Sequence, residues 1–167
     1  MERKNFPTNI VLAYIPYRGK ILLNKRTKPP YKGLWALAGG HLEIGETIEE
    51  CICREVKEET NLNAAFVALR GVASEIIYEK AKPLDQFILW VCEVKVKSGK
   101  AREQKEVEVT WFSKDEIEKR KKELIPSDYL MLHHFIFKNI GSKGILPVHT
   151  IRMRKNGAAY EVEYFGL

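Results

Sequence analysis

From Thr8 onward, short apolar runs alternate with polar breaks, and most runs are rich in β-branched and aromatic residues, as strands are. "TNIVLAYIPY" (8–17) and "KILLNKR" (20–26), joined around Arg18-Gly19, read as a strand pair. "TKPPYKG" (27–33) reads as loop, because Pro29 and Pro30 suit neither a helix interior nor a central strand. "LWALA" (34–38) is a short strand leading into a turn at Gly39-Gly40. "AAFVALRGVASEIIY" (64–78) and "QFILWVCEVKV" (86–96) predict two or three strands separated by a turn at Pro83. "EVEVTWF" (106–112) alternates and predicts one more. "TIRMRKNGAAYEVEYF" (150–165) is a pair of alternating runs around Asn156-Gly157, a two-residue hairpin signal.

Helices are announced by their starts. Thr47-Ile-Glu-Glu50 is a capping box, so a helix begins there and runs to about Thr60. Ser113-Lys-Asp-Glu116 repeats the pattern and opens a short helix ending near Lys122. A third helix is predicted from about Pro126 to Asn139, closed by Gly141. Strands interleaved with two or three helices make the fold α/β (α+β) with layered packing. The 167 residues suit a single domain, with a core over about 8–140 and a hairpin extension over about 148–166.

The first of these helices carries the chemistry. At about 100° per residue, Ile48, Cys51 and Ile52 share one side, and further along that side come Glu55, Glu58 and Glu59. The core-facing stripe thus turns into three carboxylates within one turn, with only Val56 continuing the apolar pattern at its margin. Like charges at that spacing repel, burial of an unpaired one costs several kcal/mol, and the helix C-terminus disfavours anions. Arg54 supplies one positive charge, and hard divalent cations that prefer oxygen, Mg²⁺ or Mn²⁺, supply the rest most naturally. The competing reading is a solvated acidic face beside an imperfect apolar stripe.

Charge changes the picture through its distribution. The net charge is +6, yet residues 1–40 hold eight Lys or Arg and one acid, whereas 41–60 hold seven acids against Arg54 and Lys57. A basic segment leading into an acidic one suits a phosphate-rich ligand held by side chains and bound cations together. Nucleic acid fits the basic charge alone, without a helix-turn-helix, zinc or aromatic RNA-binding signature beside it. Three cysteines argue against a disulfide framework, and the Cys51-x-Cys53 spacing lacks a second pair to complete a zinc site. No run approaches a membrane span or a secretory signal, which places the expectation in the cytoplasm.

Gly40, five residues, Glu46, seven residues, then Arg54-Glu55-Val56-Lys57-Glu58-Glu59-Thr60-Asn61-Leu62 resembles the Nudix box of the Nudix hydrolases. One specified position departs: the family's last Gly is Asn61, the next most tolerant residue of a left-handed helix cap. Ala38 stands where the family usually has Pro. "GLWALAGG" and "VTWFSKDEI" also look like Nudix sequence, so the resemblance covers roughly 8–125. It implies a mixed β-sheet between helices and hydrolysis of a nucleoside diphosphate linked to another group, ADP-ribose-like or a dinucleoside polyphosphate, using Mg²⁺ or Mn²⁺. A triphosphate-sanitising diphosphatase and a non-catalytic nucleotide-binding regulator are the alternatives.

Carried over by position, Glu58 and Glu59 look like principal metal ligands, Glu55 a ligand or the base that takes a water proton, and the Gly39 or Gly40 carbonyl completes the shell. Arg54 and Glu46 look like positioning groups. A later loop supplies the base in some relatives, and here Glu103, Glu106 and Glu108 are its candidates, Glu106 foremost. Arg26 and Lys28, with Lys25 and Lys32, read as polyphosphate contacts or as solvated loop charges. Trp35 and Tyr31 read as base-stacking rings, Trp35 alternatively as core. Tyr78 lies sixteen residues beyond the box, where dinucleoside-polyphosphate relatives often carry Tyr and ADP-ribose cleaving relatives often carry Pro. His133-His134 is either a substrate or metal contact or a packed pair, and the terminal hairpin either covers a sheet edge or makes a homodimer contact.

Overall fold

Two continuous strand-forming runs are each shared between two sheets. The computed structural model describes residues 6–102, 107–138 and 146–166. In it, β1 (Thr8–Tyr14) and β2 (Pro16–Tyr17) are one run divided at Ile15. After β3 (Lys20–Lys25), β4 (Trp35–Ala36) and β5 (Ala38–His41) are a second run divided at Leu37. The remaining elements are α1 (Ile48–Thr60), β6 (Asn63–Glu79), β7 (Lys82–Ser98), β8 (Val109–Ser113), α2 (Lys114–Lys119), α3 (Pro126–Met131), β9 (Val148–Asn156) and β10 (Ala159–Gly166).

The larger sheet runs β10-β9-β6-β7-β1-β5, and the smaller joins β3 to β2, β4 and β8. The larger sheet is mixed, with β1 parallel to β7 and β9 parallel to β6 while its other pairs are antiparallel. The expected pairing of 8–17 with 20–26 is therefore only half realised. β2 turns back on β3 through Arg18-Gly19, but β1 belongs to the other sheet. Alternation alone does not say which of two sheets a strand joins.

Alternation does explain the layering. Val11 and Ala13 face α1, where they pack with Cys51, Ile52 and Val56. Leu12, between them, faces the other side and packs with Met131, Leu132 and Phe135. The sheet is thus held between helices, as anticipated. Ile52 and Val56 are fully buried, and each such side chain contributes about 1.5–3 kcal/mol by leaving water.

Several expected boundaries shift for identifiable reasons. Gly39-Gly40 is strand, registered against Leu12 and Val11, rather than a turn. The β6–β7 hairpin turns at Lys80-Ala81, both with positive φ, and Pro83 sits within β7 opposite Tyr78. The third helix is α only to Met131 and then widens to π geometry over Leu132–Phe137. Its proposed cap, Gly141, lies outside the described residues. α2 gives way to a 3₁₀ turn, Lys121–Glu123. In the C-terminal hairpin Asn156 pairs with Ala159, so the two turn residues are Gly157-Ala158, one step later than the signal suggested.

The capping box of α1 is complete. Glu50 N–H donates to Thr47 Oγ1 at 3.2 Å, and Thr47 N–H donates to Glu50 Oε2 at 2.8 Å. Asn61 closes the helix in the left-handed region, φ 62°, with its N–H on the Lys57 carbonyl. Thr47→Ala is expected to lower stability by about 1 kcal/mol, measured as the shift in chemical-denaturation free energy.

Candidate functional site

α1 delivers its acids onto the backbone of β5. A Cβ on Gly40 would lie 2.3 Å from Glu55 Oε1, and one on Gly39 would lie 2.1 Å from the Val11 carbonyl oxygen. Glycine at both positions lets helix side chains and strand backbone meet at closest approach. Glu59 uses that approach: its Oε2 accepts from Gly39 N–H at 2.9 Å and from Asn24 Nδ2 at 2.6 Å.

Burial pushes the Glu59 carboxyl up to about 7; the Gly39 N–H opposes the shift, Glu55 and Glu58 add to it, and Arg26 counters it. Arg54 organises the rest. Its guanidinium donates to Glu46 at 2.7 and 2.9 Å, to Glu55 Oε1 at 2.6 Å and to the His41 carbonyl at 3.2 Å. The fork on Glu46 holds that carboxyl down at about 2. Glu58 is the exposed member, 3.9 Å from the same guanidinium.

As arranged, Glu59 faces inward, Glu55 faces Arg54 and Glu58 faces outward. Among the described residues no three acidic, His or Cys side chains converge into a preformed metal cage. The donor chemistry nevertheless fits a hard divalent cation. All three acids lie on one helical turn, every donor is oxygen, and the buried Asn24 Oδ1 beside Glu59 has no hydrogen-bond partner.

The remaining sequence candidates scatter. Arg26 is exposed but its charge acts on Glu59, Asp128 and Tyr31. Lys28 is exposed on the same loop. Trp35 is buried in the core, edge-on to Phe112 at 4.9 Å, with Lys25 Nζ 5.2 Å from its ring centroid. Tyr78 sits at the turn end of β6 between Pro83 and Arg154. Glu108 pairs with Lys25 at 3.1 Å, whereas Glu103 and Glu106 lie outside the described residues. His133 bonds Glu118 at 2.9 Å, and His134 packs on Phe165 of β10.

Two neighbours of the site escaped the sequence reading. Leu37, where the chain changes sheets, has its N–H free of either ladder and donates it to Asp128 Oδ2 at 2.8 Å. Asn24 ends an apolar run and is buried; a polar residue closing "ILLN" was its only signal. Burial raises Asp128 to about 7, with the Leu37 N–H opposing, nearby Glu75 adding and Arg26 opposing.

Residues 7–135 match the NUDIX domain. The chain belongs to this family. Over 68 residues it is 48% identical to the ADP-ribose pyrophosphatase of Methanocaldococcus jannaschii, covering 41% of this chain and 40% of that one. Over 70 residues it is 36% identical to the 8-oxo-dGDP phosphatase of Homo sapiens, covering 42% of this chain and 22% of that one. The matched stretch therefore spans two-fifths or less of these relatives. In fold, the MutT protein from Bacillus halodurans superposes with a TM-score of 0.71 over 95% of each chain at 19% identity. No helix among the described residues is long and apolar enough to cross a membrane.

The atoms nearest a Cβ at Gly40 belong to the end of the flexible Glu55 side chain, so Gly40→Ala is expected to fold while Glu55 is displaced. Calorimetry should show weaker Mg²⁺ or Mn²⁺ binding with a near-parental unfolding midpoint; unchanged ion affinity would detach Glu55 from the site. Asp128 supplies a pH test. Its folded value, about 7, exceeds its ordinary 3.8, so its contribution is complete below about pH 4 and is lost as pH rises to 7. Asp128→Asn should flatten the fall in urea midpoint across that window, and parallel profiles would show that Asp128 titrates normally.

Proposed function

We propose that this protein is a divalent-metal-dependent pyrophosphohydrolase acting on a nucleoside diphosphate linked to a second group, ADP-ribose-like or a dinucleoside polyphosphate. The observation that carries the reading is the single helical turn of Glu55, Glu58 and Glu59 laid against the Gly39-Gly40 backbone. The similarity to an ADP-ribose pyrophosphatase supports the substrate class.

In this reading Glu58, Glu59 and Glu55, with the Gly39 or Gly40 carbonyl, hold Mg²⁺ or Mn²⁺. When bound, the ion neutralises charge on the diphosphate oxygens and acidifies a water. Glu46 and Arg54 position: the bidentate pair fixes the guanidinium, which in turn fixes Glu55. A Glu55 held in this way accepts a water proton or ligates. Arg26, with its charge felt at Glu59, draws in phosphate, and Lys28 adds to that field.

The C-terminal hairpin pairs with β6, so we read residues 1–167 as one domain in which the hairpin covers a sheet edge. We place the protein in the cytoplasm, with a nucleotide as its ligand.

A panel of ADP-ribose, dinucleoside polyphosphates and nucleoside triphosphates, assayed for released nucleoside monophosphate, tests the reading. Turnover should require Mg²⁺ or Mn²⁺ and stop with chelator. Glu59→Gln should cut kcat by at least about a hundredfold with the thermal midpoint retained. Full activity in that variant would overturn the assignment of the helix acids, and no turnover on the whole panel would favour a nucleotide-binding regulator.

A further inference from the structure

One face of the larger sheet is covered over only part of its width. Ala73, Glu75 and Ile77 of β6 point inward, as do Leu89 of β7 and Ile151 of β9, and the apolar ones pack with Met131 of α3. Their neighbours in sequence point the opposite way. On that opposite side α1 packs through Ile52 and Val56 on Val11, Ala13 and Val94, flanked by Phe66 and Leu69 of early β6. No residue of β9 or β10 belongs to that layer, and α2 and α3, through Ile117 and Met131, belong to the other. From Val72 onward the face is therefore bare of helix among the described residues.

The register says which side chains stand on it. Val72 lies between Trp90 and Val148, Ser74 between Ile88 and Thr150, and Ile76 between Gln86 and Arg152, with Tyr164 on the far side of Arg152. Two contacts agree with a shared side. Gln86 Nε2 donates to Ser74 Oγ at 3.1 Å, and the Arg152 guanidinium lies 5.9 Å from the Tyr164 ring centroid.

A sheet face open to water carries polar residues between the buried apolar ones. Here Val72, Ile76, Ile88 and Trp90 take those outward positions and are only half-buried. Val148 and Tyr164 extend the patch across β9 and β10, at 54% and 43% exposure. Contiguous apolar surface of this kind marks a docking face.

Charge says what docks. Arg154 is paired with Glu163, and Lys155 with Glu79. Arg152 and Glu161 are exposed and have no ion pair among the described residues. Glu161 stands opposite Arg154 on the neighbouring strand, so it faces the same side as Arg152. One spare cation and one spare anion on a single apolar face complement a second copy of that face. A two-fold axis between them sets Arg152 of each copy against Glu161 of the other. A polyanion such as RNA would meet Glu161 and Glu163 along with the arginines, which is poor complementarity.

We propose that this face is a homodimer interface, in which two copies stack their β7-β6-β9-β10 surfaces about a two-fold axis with Arg152–Glu161 pairs flanking an apolar centre. Four strands and seven paired positions, at about 4.8 Å and about 3.3 Å each, make the face roughly 19 by 23 Å. That is small for a specific interface, so dimer exchanges with monomer at micromolar concentration. The inference is independent of the hydrolase reading.

Sedimentation velocity from about 1 to about 500 µM should show monomer giving way to dimer. Val148→Lys and Tyr164→Lys, both at exposed positions, should each weaken dimerisation at least about tenfold, with the thermal midpoint of the dilute monomer retained. Arg152→Glu and Glu161→Arg should each weaken it at least about fivefold. Mixing these last two variants in equal amounts should restore near-parental affinity, because each then carries the charges that the other lacks; a pair within one chain would gain nothing from mixing. A monomer over the whole range, whether or not it retains single-stranded RNA, would overturn the interface. So would a dimer untouched by both lysine variants, or a mixture no tighter than its components.

Discussion

One hydrogen bond ties the chemistry of this protein to its fold: Gly39 N–H to Glu59 Oε2, 2.9 Å. It requires a strand whose backbone is bare enough to be approached, a helix crossing it at the right height, and a carboxylate accepting burial in return for a fixed orientation. The two glycines meet the first condition, and the fully buried Cys51, Ile52 and Val56 meet the second. The carboxylate itself is the strained partner, because desolvation favours its neutral form. A cation reverses that preference, so the same geometry that is uncomfortable for an isolated acid becomes favourable for a liganded one.

Arg54 balances the other side. It satisfies Glu46, Glu55 and the His41 carbonyl at once, leaving Glu58 the most solvent-facing acid of the turn. A guanidinium committed in this way is a fixture with little freedom left to bind phosphate. In the proposed function that task falls to Arg26 and Lys28 on the loop before β4, outside the box. That proposal would separate a rigid reaction centre from a ligand-gathering rim.

What the sequence made legible was local. Both capping boxes, the acid turn and the left-handed cap at Asn61 are dictated within a few residues, and each appears where it was read. What it hid was long-range. β1 and β3 carry the same apolar alternation, and only distant partners, β7 for one and β8 for the other, sort them into different sheets. Asp128 looks like an ordinary acid in a first helical turn; its role as acceptor for Leu37 arises because the chain changes sheets ninety-one positions earlier. Glu75 was visible in principle, as an acid on the inward side of an alternating run, but inward and outward are indistinguishable until the sheet is assembled. Trp35 shows the same limit: strand position suggested core, loop neighbourhood suggested ligand, and the Phe112 contact shows its ring packed in the core.

The larger sheet ends in β5 on one side and β10 on the other. The first is four residues long and gives a backbone N–H to a helix carboxylate; the second is interrupted between Val162 and Tyr164 and bears Glu161 and Glu163. Neither offers the long, flat, unoccupied rim on which another chain adds a strand. The larger sheet thus offers no open rim at either end, and on the β5 side the guard is a carboxylate of the acid turn itself.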